Sequence, residues 1–248
     1  MVDVRENESI DELILGGLKI IQKTGGFRFS LDAVLLAHFA TVKKGYKVID
    51  LGTGTGVIPL ILTTRALELN ITGVEIQEEV AQRAKRSLAL NQLKNIKIIT
   101  ADLRNLGEEH LGHYDLVISN PPYLTLNQGK ISPSEEIALS RHEIKCSLED
   151  LIRSAQKLIK NQGRFALIHR AERLAEIIAY LKVYKLEPKR IRLIHPYLAE
   201  AANLVLIEVI KGAKPGLTVH TPLVIYNGDG TYTKEILDYY DGGETCGN

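Results

Sequence analysis

The sequence predicts an α/β fold: an open, mostly parallel sheet with helices on both faces. Three observations predict it. Short apolar runs of the kind a doubly buried parallel strand shows, such as Leu116-Val117-Ile118, alternate with helical segments along most of the chain. One of these runs, residues 46–51, feeds the glycine-rich turn Gly52-Thr-Gly-Thr-Gly56, which opens a helix. Near the end, two apolar runs at 189–194 and 203–210 are joined through His195-Pro-Tyr-Leu. That joint is shorter than the dozen or so residues of a parallel crossover, so the final pair is expected to be antiparallel.

Composition bounds the possibilities. The 248 residues allow one large domain, and 45% hydrophobic with 25% charged residues is ordinary for a globular protein. Net charge is +1, so no global field selects a polyanion. The distribution is uneven: residues 1–12 hold five acids against Arg5 alone, while residues 141–220 hold 15 Lys/Arg against eight Asp/Glu. That regional bias is a footprint that nucleic acid can use, or a solvated basic surface. Cys146 and Cys246 lie in no pair or His cluster and read as free thiols in a reducing compartment, with no metal-ligand spacing. No run approaches the ~20 apolar residues of a membrane helix. The expectation is a cytoplasmic protein, monomeric or weakly dimeric, without metal or membrane partner.

Taken in order, residues 8–21 alternate Leu, Ile and Gly after an acidic start and read as paired or loosely packed. Ser30 is an N-cap for a helix to about residue 40, which leaves Phe29 and Asp32 at a helix mouth, or as core and first-turn residues respectively. Asp50 stands just before the glycine turn, and Pro59 fits the first turn of a helix running from 57 to about 68. Residues 71–75 form a second strand closing on Glu75, at the separation from Gly56 where a carboxylate accepts ribose hydroxyls. A helix over 78–91 leads to a third strand, 96–102, closing on Asp102. Asp102 either accepts from the amino group of an adenine or caps the turn after it. The fourth strand ends in Asn120-Pro-Pro-Tyr123, where two prolines stiffen the chain beside an amide and an aromatic ring. Residues 124–147 read as a long polar loop placed to cover a substrate. Within it, Arg141 and His142 are phosphate contacts or solvated polar residues. A helix over 148–160, a terminator at 161–163, a strand at 164–169, a helix over 171–183 and the antiparallel pair come next. The remainder is punctuated by Pro and Gly, with a short helix at 233–240 and a frayed tail.

Right-handed crossovers put the carboxyl ends of parallel strands on one side of the sheet. The glycine turn, Glu75, Asp102 and Asn120-Pro-Pro-Tyr123 therefore converge on one crevice.

This layout resembles the Rossmann-like class I S-adenosylmethionine-dependent methyltransferase fold, a seven-stranded, mostly parallel sheet with its last strand antiparallel. Asp50-to-Gly56 is similar to the donor motif of those enzymes, Glu75 matches the ribose-binding acid, and Asp102 the residue that contacts the donor's adenine. Asn120-Pro-Pro-Tyr123 matches the signature of enzymes that methylate planar amino groups. Phe27-Arg-Phe-Ser-Leu-Asp32, Arg141-His-Glu143 and His195-Pro196 resemble the bacterial tRNA (adenine-N6)-methyltransferase group, with Leu31 where Thr is often found. The resemblance implies S-adenosylmethionine as cofactor, held by Phe29, Asp32, Asp50, Gly52, Thr53, Gly54, Gly56, Glu75, Ile76, Asp102, Leu103 and Asn120. It implies catalysis by Asn120, Pro121, Pro122 and Tyr123, with Tyr123, Arg141 and His142 binding a tRNA. It divides the chain into a cap at 1–45, a methyltransferase domain at 46–212 and a C-terminal extension packed on the sheet at 213–248.

Rival readings use the same motifs. Enzymes methylating a release-factor glutamine share Asn-Pro-Pro-Tyr but carry a helical domain ahead of the donor turn, where this chain has 49 residues. A ribosomal RNA guanine-N2 methyltransferase fits the motif equally. An NAD dehydrogenase would use the glycines and Glu75 but leaves Asn120-Pro-Pro-Tyr123 without a role. A non-catalytic RNA-binding module with a vestigial donor pocket is the remaining alternative.

Overall fold

A computed structural model describes residues 2–13, 17–25, 30–122 and 146–240. Its core is a mixed sheet whose strands β3 (Lys47–Leu51), β4 (Asn70–Glu75), β5 (Ile96–Thr100), β6 (Tyr114–Ser119), β7 (Ile159–Arg170), β8 (Leu186–His195) and β9 (Leu204–Lys211) run in the order β8-β9-β7-β6-β3-β4-β5. Strand β9 is antiparallel to both neighbours, as its short joint to β8 requires, and the other six are parallel. Two short strands, β10 (Thr218–Val219) and β11 (Leu223–Val224), add to β8 in parallel and bring the sheet to nine. The sequence reading of seven principal strands stands. These two-residue additions were too short to carry a periodicity.

Helices α1 (Leu31–Phe39), α2 (Val57–Arg65) and α3 (Glu78–Leu90) bury one sheet face with Val48, Ile71, Leu116, Ile118 and Ala166. Helices α4 (Leu148–Leu158) and α5 (Leu174–Val183) cover the other, over Ile49, Val117, Phe165 and Ile207. Successive strand residues alternate between the two cores, so the central strands read as unbroken apolar runs. Arg65, in the last turn of α2, donates to the Ala37 and Ala40 carbonyls that α1 leaves unpaired at its end. A short helix α6 (Lys234–Tyr240) packs against α1, with Tyr239 stacked on His38 at 4.5 Å.

Several boundaries differ from the sequence reading. Residues 8–21 form part of an antiparallel hairpin, β1 (Glu8–Leu13) and β2 (Leu18–Lys23), lying against α3. Helix α2 stops at Arg65, before residue 68, and Ser30 occupies the N-cap of α1 without a side-chain cap bond. Strand β5 ends at Thr100, so Asp102 lies beyond it. Residues 161–163 are not a terminator but an irregularity inside β7, whose pairing with β6 slips between Tyr114 and Leu116. The expected cap and loop residues Phe29, Tyr123, Arg141 and His142, most of 124–147 and the tail 241–248 lie outside the described residues.

Candidate functional site

Parallel registers bring the strand ends together. Asp50 pairs with Gly73 on β4 and Ile118 on β6, and Glu75 pairs with Thr100 on β5. The glycine turn leaves β3 with Gly52, Gly54 and Gly56 at φ of 76°, 57° and 90°, the left-handed region that favours glycine. An added Cβ at Gly52 or Gly54 would meet nothing within 4 Å, so the backbone there is open to a ligand. The turn is held from below: Gly52 and Thr53 both donate to the Val74 carbonyl at 2.9 Å.

Glu75 is 7% exposed and braces the same turn. Its Oε2 accepts from the Gly54 N–H at 3.1 Å and its Oε1 from the Gln77 N–H at 2.9 Å. Each carboxylate oxygen keeps a second lone pair for hydroxyl donors. Ile76 comes next, at the rim and 42% exposed.

Asp50 is fully buried, and neither of its oxygens has a hydrogen-bond partner among the described residues; the nearby Thr53 hydroxyl is buried and unpartnered too. Burial raises the Asp50 carboxyl to about 7, with the neighbouring Thr53 hydroxyl opposing the rise and the Glu75 charge adding to it. Orphaned buried oxygens beside an open glycine turn suit a ligand carrying an ammonium group and hydrogen-bond donors.

Asp102 acts as an N-cap, with its Oδ1 accepting from the Arg104 N–H at 3.0 Å at the head of a 3-10 turn over Leu103–Asn105. The Arg104 guanidinium also grips it from the side, which holds its carboxyl below the usual range and keeps it an anionic acceptor. Leu103 is half-buried against the α4–α5 core. Asp32 sits in the first turn of α1.

The fourth strand end carries Asn120 half-buried, Pro121 half-buried and Pro122 exposed. Just before them is a residue the sequence reading passed over. Ser119 is buried, and its hydroxyl donates to the Leu51 carbonyl at 2.7 Å. That bond ties the end of β6 to the residue preceding Gly52 and sets Asn120 against the glycine turn. A second overlooked residue is Gly73, where a Cβ would stand 2.9 Å from the Thr53 side chain and 2.7 Å from Ile98. Only the lack of a side chain there lets Thr53 lie under the turn. A polar residue closing an apolar run and a glycine inside a strand were the available signals.

Among the described residues no group of three or more His, Cys, Asp or Glu side chains is placed to hold a metal ion, and no helix is long and apolar enough to cross a membrane.

Comparison with known proteins agrees with this geometry. Residues 42–213 match the family described as "Methyltransferase domain". A tRNA1(Val) (adenine(37)-N6)-methyltransferase of Tolumonas auensis is 27% identical over 90% of this chain and 92% of its own length. One of the same name from Porphyromonas gingivalis is 32% identical over 69% of this chain and 70% of its own. Among solved structures, a predicted O-methyltransferase, Atu636 of Agrobacterium tumefaciens, superposes with TM-score 0.69 at 28% identity, covering 86% of this chain and 96% of that one. Pyrococcus horikoshii TYW2 in complex with MeSAdo, 13% identical at TM-score 0.59 over 84% of this chain and 73% of its own, shares the fold. With a donor-type glycine turn, an acid closing β4 and Asn-Pro-Pro at the end of β6, the chain belongs to the methyltransferase-domain family and, within it, to the group of the tRNA1(Val) (adenine(37)-N6)-methyltransferases.

Proposed function

We propose that this protein transfers a methyl group from S-adenosylmethionine to the exocyclic N6 of an adenine in the anticodon loop of a valine tRNA. The observation that supports the reading most is the Ser119–Leu51 bond, which ties the residue before Asn120 to the residue before the glycine turn, one position past Asp50. The relatives that share most of its length are named for this reaction.

S-adenosylmethionine supplies an electrophilic methyl on a positively charged sulfur when bound. Asp50 and Thr53 supply the buried oxygens for its amino acid end, Gly52, Gly54 and Gly56 the open backbone, and Glu75 acceptors for ribose hydroxyls. Ile76, Leu103 and Asp102 are assigned to the adenine ring and its amino group, and Asp32 and Phe29 complete the donor-binding set. An adenine N6 is a poor nucleophile because its lone pair is shared with the ring. The Asn120 side-chain carbonyl and the Pro121 backbone carbonyl each accept one N–H, hold the nitrogen and stabilise the positive charge that develops there. Placement and electrostatics are sufficient, with no general base before attack. Pro122 stiffens the turn, Tyr123 stacks on the base, and Arg141 and His142 are assigned to phosphate. A target in a single-stranded loop keeps the cost of unstacking low. Residues 46–212 are assigned the transfer chemistry, 1–45 the cap and 213–248 an extension of the sheet.

The test is Asn120→Ala, assayed with labelled S-adenosylmethionine and with tRNA, ribosomal RNA and release factor offered separately. Turnover on tRNA is expected to fall at least ~100-fold, while donor affinity by calorimetry stays within a few-fold of wild type. Near-normal turnover would overturn the assignment of Asn120, and labelling of release factor or ribosomal RNA instead of tRNA would overturn the substrate.

A further inference from the structure

We propose that Tyr197, Tyr226, Tyr232 and Tyr240 form a stacking platform for unpaired nucleotides of the RNA substrate that flank the target adenine. The proposal rests on the tRNA reading above and adds a binding surface outside the transfer site.

The four rings come from separate stretches. Tyr197 lies in the joint after β8, Tyr226 just after β11, Tyr232 past the next turn, and Tyr240 ends α6. Backbone bonds set the register: Ile225 N–H donates to the His195 carbonyl and Tyr226 N–H to the Pro196 carbonyl, both at 2.9 Å, and Tyr226 bridges to Tyr232. The rings then run as a ladder. Tyr197 to Tyr226 is 5.5 Å between centroids, Tyr226 to Tyr232 5.3 Å at 13° between planes, and Tyr232 to Tyr240 6.3 Å. In a chain with no Trp and four Phe, this is the largest aromatic grouping among the described residues. Its inner rings, Tyr226 and Tyr240, are half-buried and pack against the main core, whereas Tyr197 is half-buried and Tyr232 is 37% exposed, so the ladder reaches the surface.

Its position points to the occupant. Strand β11 is parallel to β8, so the ladder stands at the same carboxyl edge as Asn120. The order β6-β7-β9-β8-β11 separates Asn120 from Tyr197 by three strand spacings and from Tyr226 by four, about 14 to 19 Å. Between them, Arg170 ends β7 with a partly exposed guanidinium whose Glu172 partner is 4.0 Å away, the longest ion pair among the described residues. A cation between a reacting base and a row of rings is the arrangement that tracks a backbone phosphate while neighbouring bases stack. Burial raises the Tyr232 phenol and pushes Tyr240 up to about 12, so these rings stay neutral towards a polyanion. Stacking needs no particular base, which suits a surface that orients a loop.

The test compares Tyr232→Leu, which keeps apolar bulk but removes the ring face, with Tyr232→Phe, which keeps the ring. Both are assayed in the full chain on a tRNA transcript, alongside photocrosslinking to anticodon stem-loops carrying 5-iodouridine. Tyr232→Leu is expected to raise KM for tRNA roughly 5- to 100-fold, the effect of one lost stacked base, with kcat and donor affinity near wild type. Tyr232→Phe should behave as wild type, and crosslinks should map to Tyr232 or Tyr197. An unchanged KM in the Leu variant, or a loss of Tm with activity falling in proportion as for a mere clasp of the C-terminal segment, would overturn the platform alone. Wild-type protein that methylates no tRNA would overturn the parent reading, and the platform with it.

Discussion

Asp50 is a fully buried carboxyl that costs the folded protein stability, and the same charge makes its proposed binding role testable. Its folded pKa, about 7, lies above the ordinary carboxylate value of 3.8. The folded state therefore holds a proton that the unfolded chain has lost, and between roughly pH 4 and 7 stability falls as pH rises. Asp50→Asn should stabilise the ligand-free protein at pH 8 by about 1 kcal/mol or more, measured by urea unfolding, because it removes a buried charge. The same substitution should weaken donor binding, and wild-type affinity should tighten as pH rises through about 7 while the Asn variant's profile stays flat. A variant that binds the donor as tightly as wild type at pH 8 would remove Asp50 from the site. This carboxyl was legible in the sequence because an acid stood before the glycine turn. Gly73 and Ser119 were not, since their roles depend on a group from another strand or turn, the Thr53 side chain for one and the Leu51 carbonyl for the other.

The N-terminal hairpin is an element held by one carboxylate. Glu8 is buried, and its side chain accepts from Arg83 at 3.1 Å and doubly from Arg86 on α3. Ser87 and Asn91 extend the seam by bonding the Ile21 and Lys19 N–H groups. The Arg86 hydrogen bond does most to lower Glu8 to about 2, burial opposes it, and the Arg5 N–H and Arg83 add to the lowering. A depressed carboxylate contributes stability that is complete above about pH 4.5 and lost as pH falls towards 2. Hydrogen exchange during acidification should show residues 8–23 losing protection before the central sheet. Glu8→Gln should cost about 3 kcal/mol at pH 7 and flatten that dependence. Equal loss of protection across the chain would show that the hairpin is not anchored separately. At this scale the sequence was partly opaque. The alternation in 8–21 was visible, but its partner, the Arg83–Arg86 face of α3, is 75 residues or more from Glu8 along the chain. The third strand was drawn two residues too long for a related reason: the apolar run ends at Ile99, and the cap that Asp102 provides, one of its two expected roles, shows itself only through Arg104.

Across the whole molecule, Glu208 fastens the sheet to the first helix. Its buried carboxylate accepts from the Thr41 N–H at 2.6 Å, the Thr41 hydroxyl at 2.9 Å, Arg164 on β7 at 2.8 Å and Arg190 on β8 at 3.4 Å. Arg190 also lies 4.5 Å over the Phe39 ring. Glu208→Ala would strand two guanidinium groups and should lower global stability by about 3–5 kcal/mol in chemical denaturation. The architecture itself was well signalled, because parallel strands buried on both faces read as apolar runs and the His195-Pro196 joint admitted only an antiparallel return. The sequence reading had residues 213–248 packed on the sheet but not as strands, since the two-residue strands there owe their shape to a neighbour's backbone and not to their own pattern.

The position of β9 bears on how the chain can be assembled on the ribosome. Every sheet neighbour of β8 (β9, β10 and β11) is translated after it, and β9 is also the second neighbour of β7. The half bearing the glycine turn, from β3 to β6, can thus pair as it emerges, whereas the tyrosine-bearing margin waits for residues 204–211. A nascent chain halted before that point would have its donor-side strands in register and lack the margin assigned to RNA.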